Sequence, residues 1–439
     1  MYEIVVGRNE ADKKALGLKG TVFLGKHYVK MGQTTSMSNK IFMDVTKSHV
    51  VLISGKRGSG KSYLLGVIAE EMAHLPEEVK NKIAVVMFDT MGIFWTMRYE
   101  NVKDEDLLDS WNLPKKSLDI NIYTPAGYFK EYKEKDIPAD FEFTLNPSEL
   151  NTTDWCSTFA VLPLDPVGIL IENTISELRK KTGNYDIKEI INILEKNEIV
   201  EKNIKNAAMN LFKAAEAWGI FSKNATPVKN IFEGGKVSVI DISAYKEWNV
   251  KNLVIGLVCK KLMQERMLAR KKEELEDVKK GYSYFSTSSE ETGKEMPLVW
   301  IFVDECHESL PRENKTPATD ALVTLLREGR QPGISLILAT QQPGEIHKDV
   351  ITQTDIVISL RVTAKKDIDA LNEIMQTYLS GDLLKYFNML PKMRGAALVL
   401  DDNSEKIYPV QIRPRFTWHG GEAPTLIKSK GEAAEKLGL

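Results

Sequence analysis

Apolar residues along this chain follow two spacings. Short, nearly unbroken aliphatic runs stop abruptly at Gly, Asp or Gln, and between them lie longer stretches with apolar residues three and four positions apart. The first pattern reads as strands buried on both faces and the second as helices. Val50 to Ile53, Lys82 to Phe88, Lys236 to Asp241, Pro297 to Val303 and Ile334 to Ala339 are the predicted strands. Tyr63 to Ala73, Ile169 to Arg179, Ile187 to Lys196, Ile204 to Trp218, Lys251 to about Lys280 and Ala318 to Glu328 are the predicted helices. Strand, helix and strand in succession form a βαβ unit, so the expectation is an α/β fold around a mainly parallel sheet.

Changes in pattern divide the chain. Residues 1–48 carry the short alternating stretches Thr21 to Leu24, His27 to Met31 and Lys40 to Val45, punctuated by Gly20, Gly25 and Gly32. They read as a small N-terminal β module, a truncated barrel. Residues 49–145 form the first part of the core, although the aromatic-rich stretch from 93 gives no clear periodicity. A helical insertion follows over 146–232, then the second part of the core over 233–421 and a C-terminal tail over 422–439. Arg266 to Lys280 is so rich in Arg, Lys and Glu that it reads as a solvated helix face, with i,i+4 pairs worth ~0.3 kcal/mol each. The Ser-, Thr-, Gly- and Glu-rich stretch from Gly281 to Met296 reads as a mobile surface loop.

Composition narrows the class. With 439 residues, 43% hydrophobic and 27% charged, the chain is globular and large enough for two or three domains. No apolar stretch approaches the ~18 residues that span a bilayer, so no membrane association is expected. Cys156, Cys259 and Cys306 are too few and too scattered for a disulfide framework or a zinc site, which fits a reducing cytoplasm. The formal charge of −2 is not that of a strongly basic nucleic-acid-binding domain, but net charge averages away any basic internal surface.

The chemistry concentrates where the aliphatic runs end. Val50 to Ser54 empties into Gly55-Lys56-Arg57-Gly58-Ser59-Gly60-Lys61-Ser62, the spacing G-x-x-x-x-G-K-[ST] of a phosphate-binding loop, followed by Tyr63. Glycines let successive N–H groups converge on a triphosphate at a helix start; Lys61 would reach the β- and γ-phosphates and Ser62 would hold Mg²⁺. The run Leu298 to Val303 ends in Asp304 and Glu305, two acids that are costly at the end of a buried strand unless a metal or a reaction needs them. Asp304 is the candidate for the Mg²⁺ shell, and Glu305 for polarising the attacking water. Gln341, with Gln342 as the alternative, follows the next strand and is the candidate contact to the γ-phosphate. Arg330, in a glycine-flanked turn, is the candidate for reaching a neighbouring subunit's phosphate, with Arg327 and Arg361 as competitors.

Taken together, Gly55 to Ser62, Phe88-Asp89-Thr90-Met91-Gly92, Val239 to Ser243, Val303-Asp304-Glu305, Arg327 to Gly333, Ala339 to Pro343, Ile412 to Arg415 and His419-Gly420-Gly421 resemble the HerA/FtsK branch of P-loop motor ATPases, most closely the HerA type. The resemblance runs from about Gly25 to Gly421. It implies a RecA-like core assembled as a homo-hexamer around double-stranded DNA, with ATP and Mg²⁺ between subunits. Carried over by position, Lys61 and Ser62 bind nucleotide and metal, Asp304 and Glu305 form the acidic pair, Gln341 senses the γ-phosphate and Arg330 acts in trans. It further implies DNA end processing or repair with a NurA-like nuclease. An ATPase ring regulating an antiviral effector and a secretion or conjugation ATPase are the alternative readings. Only some 48 residues precede the first core strand, where such proteins often carry a longer N-terminal barrel, and the nuclease docks on that side.

Overall fold

A computed structural model describes residues 3–31, 34–282, 296–362, 365–375, 386–388, 390–391 and 393–421. Most of the predicted loop over 281–296 and the tail 422–439 lie outside the described residues. Among the described residues thirteen strands form one sheet. They are β1 (Ile4–Val6), β2 (Thr21–Met31), β3 (Thr34–Asp44), β4 (Val50–Ser54), β5 (Ile83–Asp89), β6 (Ile120–Pro125), β7 (Phe141–Phe143), β8 (Val237–Asp241), β9 (Leu298–Val303), β10 (Ile334–Thr340), β11 (Ile356–Leu360), β12 (Ala396–Asp401) and β13 (Lys406–Ile412). Their spatial order is β1-β3-β2-β13-β12-β11-β4-β10-β9-β5-β8-β6-β7. From β11 to β7 neighbouring strands are parallel, whereas β11 to β12, β12 to β13, β13 to β2 and β2 to β3 are antiparallel.

Five of the parallel strands, β4, β5, β8, β9 and β10, are the aliphatic runs of the sequence, and their side chains alternate between two cores. On β9, Val299, Ile301 and Val303 face the core under the helices Trp248–Tyr282 and Thr319–Glu328, while Trp300 and Phe302 face the core under Lys61–Ala73. Leu52 on β4 joins the first core, and Val51 and Ile53 the second. The helices Thr152–Phe159, Pro166–Lys181, Ile187–Lys196 and Lys202–Ala217 fill the connection from β7 to β8, and Trp155, Ile190 and Phe212 pack into the first core. Among the described residues no helix is long and apolar enough to cross a membrane.

The small N-terminal β module joins the core: β2 pairs with β13 and carries β3 and β1 outward, extending the core sheet over an otherwise open edge. Two expectations change. Gly25 does not end a strand. It sits within β2, where a Cβ would collide with the Gln411 backbone of β13, so the glycine permits close strand approach. Arg266 is not solvated: it is 1% exposed, its Nε donates to Pro332 O at 2.6 Å, and its NH1 donates to Met296 O at 2.7 Å. The unassigned residues after 93 supply β6 and β7.

The N-terminal ends of β4 and β11 meet in a buried ionic cluster. Arg8 Nε donates to Asp44 Oδ1 at 2.7 Å, and the imidazole of His49 lies between Asp355 Oδ2 at 2.6 Å and Asp44 Oδ2 at 3.1 Å. Burial pulls the His49 pKa down, but hydrogen bonds and attraction to Asp355 and Asp44 outweigh it and push it up to about 9.

Candidate functional site

All the predicted site residues except Arg330 sit at the C-terminal edge of the parallel strands, where α/β proteins place ligands. After Ser54 the chain enters its glycine loop. Gly58 at φ +74° and Gly60 at φ +104° adopt backbone that strains residues bearing a Cβ. Gly55 serves differently, because a Cβ there would collide with the Ser59 hydroxyl and crowd Leu360. The loop is pinned on both sides: Gly55 N–H donates to Thr340 O at 3.3 Å, and Lys56 N–H to Arg361 O at 3.2 Å. No side chain caps the helix Lys61–Ala73, so its first N–H groups remain open to an anion. Lys61 is 6% exposed, whereas Lys56 and Arg57 are exposed at the loop's rim.

The acids arrive from β9. Ser62 Oγ donates to Asp304 Oδ2 at 2.5 Å, joining two stretches 242 residues apart. Asp304 is 3% exposed, and burial raises its pKa against the opposing hydrogen bond from Ser62. Burial, then repulsion from Asp304, raises that of Glu305 as well. Glu305 itself has φ +51°, a left-handed conformation of the kind that concentrates at functional sites in non-glycine residues. Its Oε2 is buried without a hydrogen-bond partner, as are Ser59 Oγ and Thr90 Oγ1 on the loops after β4 and β5. Three such atoms at one strand edge leave hydrogen-bonding capacity for a bound group to take up.

Gln341 follows the end of β10, between the strands that deliver the glycine loop and the acids. Arg330 is exposed at the other end of β10, whose seven residues span roughly 20 Å. It is therefore not brought to its own chain's glycine loop. Arg327 is held by Asp349 at 2.7 Å, and Arg361 is exposed beside Lys56.

Three sets of residues went unread as site-builders. Asp89 and Asp241 end adjacent strands in register, and Asp89 accepts N–H groups from Gly92 and Phe94, both at 2.7 Å. Burial and the neighbouring Asp241 push Asp89 up to about 7. Both lie in the motifs quoted above, and their strand-end position was the available signal. Glu70, Arg413 and Arg415, each no more than 1% exposed, tie the helix after the glycine loop to the segment 413–417. There Tyr63 Oη accepts the N–H of Arg415 at 2.7 Å. His307, two residues past Glu305, packs against the end of β10.

The donor set suits Mg²⁺. A hydroxyl and a carboxylate meet at the loop, and among the described residues no group of three His, Cys, Asp or Glu side chains forms a self-sufficient cation cage. A cation here would be held by Ser62, Asp304 and the substrate's phosphates, as Mg²⁺ commonly is.

Residues 29–262, just over half of the chain, match the family model described as the central domain of the helicase HerA. Over 157 residues, 34% of this chain, the sequence is 28% identical to the DNA double-strand break repair helicase HerA of Pyrococcus furiosus; the match spans 28% of that protein. Over 431 residues, 95% of this chain and 74% of the relative, it is 22% identical to the DNA double-strand break repair helicase HerA of Sulfurisphaera tokodaii. Among solved structures, VirB4 of Thermoanaerobacter pseudethanolicus matches with a TM-score of 0.53, covering 90% of this chain and 96% of that one at 13% identity. That likeness is one of fold and agrees with a RecA-like core.

Proposed function

This chain belongs to the HerA family of P-loop ATPases, and from that premise we propose that it is a ring-forming motor that hydrolyses ATP between subunits to move double-stranded DNA. The observation that carries the reading is the Ser62–Asp304 hydrogen bond, which sets the glycine loop beside buried Asp304 and half-buried Glu305 at one strand edge. ATP would lie with its phosphates in the loop Gly55 to Ser62, Lys61 neutralising charge on the outer phosphates. Ser62 and Asp304 would hold Mg²⁺, which supplies charge stabilisation to the phosphoryl group when bound. Glu305, its pKa raised by burial, would accept a hydrogen bond from the attacking water and orient it, while Gln341 would contact the γ-phosphate. Arg330, about a strand's length from its own loop, would act on a neighbour's nucleotide in a homo-hexamer.

The chain would work in the cytoplasm, in DNA end processing or repair, with a NurA-like nuclease or another effector as partner. The proposed division is a small N-terminal β module, truncated and barrel-like, over 1–48, a RecA-like core over 49–145 and 233–421, a helical insertion over 146–232 and a tail over 422–439.

Lys61→Ala and Glu305→Gln should each lower duplex-stimulated ATP turnover by a factor of about 10³ or more while leaving the circular dichroism spectrum unchanged. Wild-type turnover in both would overturn the site. Mass measurement with ATP and duplex DNA should give six copies. Doping Arg330→Ala subunits into wild-type rings should depress activity beyond their mole fraction; strictly proportional loss would exclude action across an interface.

A further inference from the structure

Past Asp304 and Glu305 the chain makes one short 3-10 turn, Cys306–Glu308, which seats the imidazole of His307 against the last residue of β10. His307 is 9% exposed. Its Nδ1 lies 3.2 Å from Thr340 Oγ1 and 3.6 Å from Glu305 Oε2, the carboxylate oxygen that is buried without a hydrogen bond. Thr340 Oγ1 in turn accepts the N–H of Gln342 at 3.0 Å and so braces the turn that carries Gln341. One ring nitrogen thus faces both the candidate water-activating acid and the strand end leading to the candidate phosphate contact.

We propose that His307 is a positioning residue that couples the carboxylate of Glu305 to the Thr340–Gln342 turn, so that the two groups address the γ-phosphate together. This rests on the ATPase reading above. The coupling follows from hydrogen-bond inventory. With one lone pair of Thr340 Oγ1 committed to Gln342, its hydroxyl proton is available to Nδ1. When Nδ1 accepts the hydrogen bond of the Thr340 hydroxyl, it has no hydrogen to offer Glu305 Oε2, and the carboxylate is left free to turn toward the nucleotide. When Nδ1 bears hydrogen, it can donate to Oε2 and hold the carboxylate back, the 3.6 Å gap needing only a few tenths of an ångström to close. A shift of the Gln341 turn moves Thr340, selects between the tautomers and thereby sets Glu305. Burial, with the nearby Lys61 charge, lowers the His307 pKa and keeps this exchange within the neutral ring near pH 7.

Steady-state ATP turnover tests the coupling. His307→Ala and Thr340→Val should each lower kcat about tenfold with the KM for ATP within about twofold, and the double variant should lose about tenfold rather than a hundredfold. His307→Asn, which keeps a polar group near Nδ1, should recover most of the rate. Full kcat in His307→Ala, a raised KM at unchanged kcat, or multiplicative loss in the double variant overturns the inference. Should His307→Ala fail to fold, His307→Asn against His307→Gln decides: a near-wild-type rate in the first and a tenfold loss in the second supports the coupling, and equal rates overturn it. Absence of ATP turnover in the wild type would overturn the ATPase reading itself, and full turnover in Glu305→Gln would take Glu305 and the coupling out of the reaction, whereas an inactive Glu305→Gln beside a fully active His307→Ala removes the coupling alone.

Discussion

The two ends of β4 are both lined with buried charge, and they handle it in opposite ways. At the N-terminal end, Asp44 meets Arg8 and His49, and His49 also meets Asp355, so each charge faces an opposite one at hydrogen-bond distance. At the C-terminal end, Asp304 and Glu305 carry raised pKa values, Glu305 has an unpartnered oxygen and a left-handed backbone, and the glycine loop presents open N–H groups. A paired cluster holds the fold together; an unpaired one is complete only with something bound. The same strand therefore joins a clamp to a candidate receptor.

Experiments can break this contrast, ranked here by their effect on unfolding free energy. Asp44→Ala leaves the buried Arg8 charge without its carboxylate and removes one of the two carboxylates on His49, and should destabilise the protein by about 3–5 kcal/mol in urea titration, with the KM for ATP unchanged. Raising the pH should act on the same cluster. Because the folded pKa of His49, about 9, lies above the ordinary 6.5, its contribution is fully present below pH 6.5 and is lost as pH rises through 9. Stability should decline by up to about 3 kcal/mol across that window, and the slope should flatten in His49→Gln. A pH-independent wild type would remove the clamp from the account.

At the other end the effects are smaller and include one of opposite sign. A Cβ at Gly58 meets nothing within 4 Å, so Gly58→Ala tests backbone strain alone and should cost about 1–2 kcal/mol. Asp304→Asn removes a carboxylate that burial disfavours. It should raise stability by about 1 kcal/mol while turnover falls at least a hundredfold; lowered stability would mean that Asp304 belongs with the paired cluster.

Much of this was legible along the chain, and the reason is local. The β4, β9 and β10 runs are continuous and aliphatic, and each ends in the residues that form the site, so one stretch contains both strand and chemistry. β6 (Ile-Asn-Ile-Tyr-Thr-Pro) mixes polar with apolar positions, and β13 contains Pro409, which counts against a strand in isolation. What stayed hidden depends on partners far off in sequence. Asp44 and Asp355 flank His49 only once β4 and β11 are parallel neighbours, and His307 reaches Thr340 only through the pairing of β9 with β10. Arg266 illustrates the same limit: its helix face is charged enough to read as solvated, yet the turn from Arg330 to Gly333 closes over it.

Strand β4 has a history as well as a place. Val50 pairs with Leu336 on one side and Val51 with Ile356 on the other, so both flanks of the strand bearing the glycine loop come from the last third of the chain. On a ribosome, the cradle's lysine emerges early and waits for most of synthesis before its neighbours exist. A nascent chain halted before residue 334 should fail to retain a nucleotide analogue, and one halted beyond 421 with its exit-tunnel spacer should retain it. On the proposed reading, nucleotide binding would thereby be withheld until the rest of the core has been made.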